Sequence, residues 1–221
     1  MLFYFACFCL IILTNANALA QEEYFEGIIE YSLEYDINNP EFSEERIKEY
    51  LGSKVITKFS KGSFRDEYYN NQGVLVRTSV LNLAKKQYYL KHNGIDTIYY
   101  TSINETDYVT TIQQLPDTNI DENDCWVIKS ISVLKNQDKA SEPIISKYYE
   151  SKELKIDPNW FVDYIDGGYD RITKLAPGIT LKTETFFPNF NIIESFVSKS
   201  EQKIDPAEFE FDSNMTLKKM N

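Results

Sequence analysis

Phe25-Glu26-Gly27-Ile28-Ile29-Glu30-Tyr31-Ser32-Leu33-Glu34-Tyr35 decides the fold. Phe25, Gly27, Ile29, Tyr31, Leu33 and Tyr35 alternate with Glu26, Ile28, Glu30, Ser32 and Glu34, and a period of two belongs to a strand with one buried and one wetted face. The stretch from Asn38 to Ser43, with two Asn and Pro40, breaks that pattern. Ser43 then stands as a helix N-cap before Glu44 and Glu45, whose charge suits the helix dipole, and Gly52 is placed to end the helix. Phe42 and Ile47 have hydrophobic-staple spacing, and Ile47, Tyr50 and Leu51 share a face that needs a surface to lie on.

Outward from there the alternation resumes in the runs 54–60, 63–69, 74–83, 87–92, 95–102, 107–113, 125–134 and 143–151. Asn70-Asn71-Gln72-Gly73 and Asn93-Gly94 separate some of these runs, the second being a type I′ hairpin dipeptide. After Asp157-Pro158, the residues Trp160, Phe161, Tyr164 and Ile165 recur at helical spacing, with Gly167-Gly168 as the stop. Runs 179–187 and 191–199 read as two further strands, Asp205-Pro206 opens a short turn, and the tail after Asn214 reads as frayed. About ten strands and two short helices result, and an open twisted sheet of that size tends to curl. The expected fold is mainly β (α+β): a strongly curved antiparallel sheet, or half-barrel, with short helices packed on the concave face.

Leu2 to Leu13 is an uncharged apolar run followed by Ala18-Leu19-Ala20, the pattern of a secretory signal peptide over residues 1–20 with its cleavage site before Gln21. The run is shorter than the roughly 20 residues that span a bilayer, and no later stretch approaches that length, so no transmembrane segment is expected after signal removal. A single β-rich domain at 21–221, in the periplasm or outside the cell, is the expectation. Cys7 and Cys9 leave with the signal, so Cys125 has no intramolecular partner and the fold must rest on its core. With 23 Lys and Arg against 34 Asp and Glu the formal charge is -11, which repels phosphate backbones and argues against a nucleic-acid partner.

Constellations that carry chemistry are sparse. His92, the sole histidine, stands beside a turn, and one His with one mature Cys cannot build a zinc site of the His/Cys type. A Cys125/His92 pair would need adjacent strands and an orienting carboxylate, and a Cys inside an alternating strand is more often a small buried hydrophobe. Asp117-Thr118-Asn119-Ile120-Asp121 starts like a calcium loop but has Glu122 where Gly is required and Ile128 where a bidentate Glu belongs. Phosphate-cradling and nucleophile-elbow motifs do not occur. No catalytic residue, metal or cofactor is therefore assigned. Trp160, Phe161, Phe186 and Phe187 form the densest aromatic groups and are the candidate lining of a ligand cavity, with plain core packing as the alternative.

Several short motifs together resemble a known family: Phe25-x-Gly27-x-Ile29-x-Tyr31 in the first strand, Cys125 opening a central strand, Tyr148-Tyr149 before Leu154, Ala176-Pro177-Gly178-Ile179-Thr180-Leu181, and Ile204-Asp205-Pro206-x-x-Phe209. They resemble the GLPGLI and DUF4412 group of envelope proteins, which is similar to the LolA/LolB-like lipoprotein-carrier superfamily. The resemblance implies a half-barrel around a lid helix and an apolar cavity, and a periplasmic protein with no catalytic residues. The expected function is that of a non-enzymatic periplasmic binding or carrier-like protein for a lipid, an acyl chain or an acylated protein. The alternative is a structural component of an envelope assembly, with a solid core, envelope proteins as partners and no ligand.

Overall fold

A computed structural model describes residues 24–135, 142–212 and 214–220, so the expected signal peptide lies outside the described residues. The decisive first stretch forms strand β1 (Gly27–Ile37), in which Ile29, Tyr31, Leu33 and Tyr35 are buried and the residues between them are not. Helix α1 (Glu44–Leu51) follows as the caps predict: the Ser43 hydroxyl accepts from the Arg46 amide at 3.3 Å and Gly52, at φ +95°, ends it. Five strands then meander, β2 (Lys54–Ser60), β3 (Ser63–Tyr69), β4 (Leu75–Asn82), β5 (Gln87–His92) and β6 (Thr97–Ser102). A second meander comprises β7 (Tyr108–Ile120), β8 (Asn123–Leu134), β9 (Ile144–Lys155), β10 (Gly178–Phe186) and β11 (Phe190–Glu201), and β12 (Thr216–Lys219) closes the described chain.

Among the described residues these twelve strands make one sheet that is not closed, ordered β12-β6-β5-β4-β3-β2-β1-β11-β10-β9-β8-β7. β1 stands at the junction, pairing antiparallel with β2 on one side and β11 on the other. The protein is mainly β with two short helices, the second being α2 (Tyr169–Leu175).

Four details differ from the sequence-based expectation. The aromatic run after Asp157 makes 3-10 turns at Pro158–Phe161 and Asp166–Gly168, and the helix begins after the glycine pair instead of ending there. Gly167 and Gly168 both have positive φ, so they redirect the chain into α2. Asn93 keeps a negative φ, so its turn with Gly94 is not type I′; both central residues are left-handed instead at Lys61-Gly62 and Asp121-Glu122. The acidic stretch around Asp117 thus belongs to the long strand β7 and its hairpin, and Asp117 pairs with Lys152 at 2.6 Å. The tail is not frayed: β12 adds parallel to β6.

The main core joins β1, β2 and Leu81 to α1 through Ile47 and to the segment after β9 through Ile156 and Phe161. α2 sets Ile172 and Ala176 on Ile128 of β8. The opposite face of β4–β6 buries Val80, Tyr89 and Ile98 under Ile204 and Phe209 of the C-terminal segment. Each such apolar side chain contributes about 1.5–3 kcal/mol when fully buried.

Gly178, the glycine of the Pro177-Gly178 pair, lies so close to β9 that a Cβ would stand 2.0 Å from the Ser151 carbonyl oxygen. Because the obstacle is backbone, Gly178→Ala is expected to cost about 1–3 kcal/mol through overpacking. Chemical denaturation reads this directly, and an unchanged midpoint would mean that the two strands part freely.

Candidate functional site

The face of the sheet that carries the helices is not uniformly apolar. Register places Val55, Tyr68, Arg77 and His92 in one cross-strand row over β2–β5, and Thr57, Asp66, Ser79 and Leu90 in the next. The Thr57 hydroxyl donates to Asp66 Oδ1 at 2.8 Å and the Ser79 hydroxyl to Oδ2 at 3.0 Å. On the other side of β1, Leu33 stands opposite Glu194, which in turn stands opposite Thr183. Further along, Glu150 is 2% exposed, and both of its oxygens lie 3.0 Å from the Thr180 hydroxyl.

These carboxyls converge electrostatically. Burial pushes Glu150 up to about 8, against the opposing hydrogen bond from Thr180. Burial likewise pushes Glu194 up to about 7, helped by Asp66 and opposed by Arg77. Asp66 rises to about 6 because burial outweighs its two hydroxyl donors and Arg77. The Tyr31 hydroxyl, which donates to the Thr180 carbonyl at 3.0 Å, is raised well above its ordinary value by burial and then by Glu194, Glu150 and Asp66. Carboxyls held near neutrality by desolvation inside a cleft mark a candidate functional region.

Arg77 supplies the positive charge. Its guanidinium carbon lies 3.7 Å from the centre of the Tyr68 ring. Nε is buried without a hydrogen-bond partner, and among the described residues no carboxylate comes within ion-pairing distance of the guanidinium. Burial first, and then Arg77, hold His92 below its ordinary value.

Arg77, Tyr68 and Glu194 line a pocket of about 180 Å³, together with Leu33, Tyr35 and Ile192 among others. The Tyr35 hydroxyl is committed to the Gly52 carbonyl at 2.8 Å. The volume falls below the roughly 300–1,000 Å³ of drug-sized sites, so the pocket suits a short ligand or the end of a chain. Larger hollows, of about 590 and 670 Å³, lie among polar and charged surface groups such as Lys182, Lys199 and Glu201.

The four aromatic candidates are dispersed. Phe161 is 0% exposed in the main core, and Trp160 packs on Phe59 and Tyr24. Strand alternation puts Phe186 and Phe187 on opposite faces: Phe186 sits beside Lys147, whereas Phe187 lines the pocket and packs on Phe190 at 5.3 Å. Cys125 and His92 lie on β8 and β5, near opposite ends of the strand order, and Cys125 is 0% exposed with its thiol raised by burial. Among the described residues no group of three or more His, Cys, Asp or Glu side chains is placed to hold a metal ion, and no helix is long and apolar enough to cross a membrane.

Asp66, Arg77, Glu150 and Glu194 were not among the sequence candidates, yet a signal for Asp66 and Glu194 exists. Phe64-x-Asp66-x-Tyr68 and Ile192-x-Glu194-x-Phe196 place a carboxylate on the apolar parity of a strand. A charge flanked at ±2 by large apolar residues faces the core whenever its neighbours do.

No family model matches the chain and no curated protein matches it, so the likeness to the GLPGLI group rests on the quoted motifs alone. Solved structures do match. One is the crystal structure of LprF from Mycobacterium bovis, at 9% identity and a TM-score of 0.32, covering 82% of this chain and 90% of that one. A likeness of that degree transfers neither function nor site residues.

Proposed function

We propose that this protein is a non-enzymatic binding protein, working in the periplasm or outside the cell, that takes a small hydrophobic or amphipathic ligand, such as the end of an acyl chain, on the concave side of a half-barrel. The observation that carries this reading is the composition of the 180 Å³ pocket, whose walls come from β1, β3, β4, β10 and β11. In the strand order β4 and β10 are five places apart. A flat sheet would hold them about 24 Å from one another at the usual strand spacing. Their meeting at one small pocket supports a sheet bent around it, with α1 and the segment from Pro158 to Leu175 on the inner side. Leu33, Ile192 and Phe187 give the pocket an apolar wall, and its hydroxyl and charged groups can orient a ligand's polar end.

Native mass spectrometry of the protein recovered from its own cell envelope tests the proposal. A co-purifying apolar molecule, released by organic solvent and absent after delipidation, is the expected result. Bare protein that also fails to take up an apolar fluorescent probe would overturn it.

A structural role in an envelope assembly finds one favourable observation. β7 ends the sheet as a 13-residue strand with Val109 59% exposed, and a long terminal strand offers backbone groups to a partner. Reproducible crosslinks through β7 in cells would favour that reading, and their absence would leave it without support.

A further inference from the structure

The pocket contains a charge that the fold leaves unanswered. Arg77 projects from the middle of the sheet, and its guanidinium rests on Tyr68. A stacked guanidinium is oriented, because the ring fixes its plane while leaving its edge donors available. Those donors find no acceptor among the described residues, and Nε is buried without one. A buried donor with no partner is costly and calls for an explanation, and an acceptor supplied by a bound group is one.

The neighbouring carboxyl does not neutralise it. Glu194 lines the same pocket and feels Arg77, yet it lies beyond ion-pairing distance and makes no hydrogen bond to another described residue. Asp66 also feels Arg77, but its oxygens are engaged by Thr57 and Ser79. Around this cation and carboxyl the apolar wall of Leu33, Ile192 and Phe187 continues.

From this geometry, and resting on the binding reading above, we infer that Arg77 is the anchor for the carboxylate of a short aliphatic acid, whose chain lies along Leu33, Ile192 and Phe187 while Glu194 hydrogen-bonds the carboxylate from the opposite wall. Planar carboxylate matches the two-pronged donor edge of a guanidinium. Glu194 can donate only while protonated, and burial holds it in that form up to about 7. Above that, two carboxylates share the pocket and repel. The charged and titratable groups facing Glu194 are Arg77 from β4, Asp66 and Tyr68 from β3, Tyr31 and Tyr35 from β1, and Tyr169 from α2. Of these, only Asp66, raised to about 6, titrates near the same range.

Isothermal titration of the delipidated protein with hexanoate, hexan-1-ol and hexylamine tests the inference. Hexanoate at pH 6 is expected to bind roughly ten- to hundred-fold more tightly than hexan-1-ol, the factor that one charge-assisted hydrogen-bonded pair contributes. Hexylamine should bind more weakly still. Arg77→Met should abolish the preference for hexanoate and Arg77→Lys should retain part of it, with circular dichroism confirming the fold of each. Should Arg77→Met not fold, Glu194→Gln supplies the readout: it should bind hexanoate at pH 8 as the wild type does at pH 6.

Equal affinity for hexanoate and hexan-1-ol would overturn the anchor and leave the apolar-pocket reading standing. The anchor also falls if a folded Arg77→Met keeps the preference, or if Glu194→Gln keeps the wild-type pH profile. Failure of all three probes, in protein that still takes up an apolar fluorescent probe, would again overturn the anchor alone. Failure with every apolar compound would remove both.

Discussion

Glu150→Gln should leave the protein as stable as the wild type at pH 5 and markedly more stable at pH 8.5. The sign follows from which state binds the proton. Burial raises the Glu150 carboxyl from 4.5 to about 8, so between those values the folded chain holds a proton that the unfolded chain releases. Stability therefore falls as pH rises through that window, and the loss is complete above the folded value. At about 1.4 kcal/mol per pH unit between those values the penalty is on the order of 5 kcal/mol, a large fraction of a typical domain's 5–15 kcal/mol.

Glutamine carries no charge and can still exchange hydrogen bonds with the Thr180 hydroxyl, so it escapes the penalty. Glu194 and Asp66 add smaller falls ending near 7 and near 6. Glu67 opposes them at acid pH. There burial is outweighed by hydrogen bonds from Arg65 and Tyr69, so its contribution is present above about 4.5 and lost on further acidification. Thermal unfolding from pH 4.5 to 9 should show the wild type most stable at the acid end of the range and falling towards pH 8, with a flatter alkaline limb in Glu150→Gln. Equal destabilisation by the substitution at both ends of the range would mean that Glu150 is held as a charged group.

Phe161→Ala is expected to cost roughly 3–5 kcal/mol, the usual range for deleting a fully buried aromatic ring. Phe161 is 0% exposed and meets Tyr169 edge-on at 5.1 Å, so its ring joins the 3-10 turn to α2. It also lies where a Cβ on Gly62, in the β2–β3 turn, would come within 3.3 Å of its Cζ. The covering segment is thus bolted into the core at this end, and any movement that admits a ligand has to occur elsewhere. Denaturant unfolding of variant and wild type at the same pH isolates the effect, because the carboxyl penalties then cancel. A loss below about 1 kcal/mol would mean that the segment is only loosely docked.

The strands are legible in the sequence because they are long and one of their faces is buried. Period two in 25–35 locates β1 to within two residues, and the staple and cap around Ser43 locate α1. The 160–175 region departs from its helical spacing for a physical reason. Aromatic spacing there records which side chains reach the core, and a chain of 3-10 turns delivers the same side chains as a helix does. β12 is hidden from a sequence reading because its partner, β6, lies more than a hundred residues away, and its own four residues are all exposed.

The site residues escape a reading that attends to motif chemistry over parity. Asp66 and Glu194 are unremarkable as acids in a chain with 34 of them. They become informative only when placed on the same strand face as Tyr68 and Phe196. Arg77 cannot be singled out in the same way, since what distinguishes it is the absence of an acceptor, which only three dimensions reveal.

The junction of β1 with β11 sets an order of events during maturation. Gly27 is paired with Glu201, so the N-terminal strand must wait for nearly the whole polypeptide before its second edge is satisfied. Each meander, by contrast, pairs strands that follow one another along the chain and can assemble as soon as its own residues emerge. Nucleation of the two halves is therefore local and quick, whereas their zippering is late, slow and limited by loop-closure entropy. A polypeptide organised in this way stays pliable until its last quarter has been delivered.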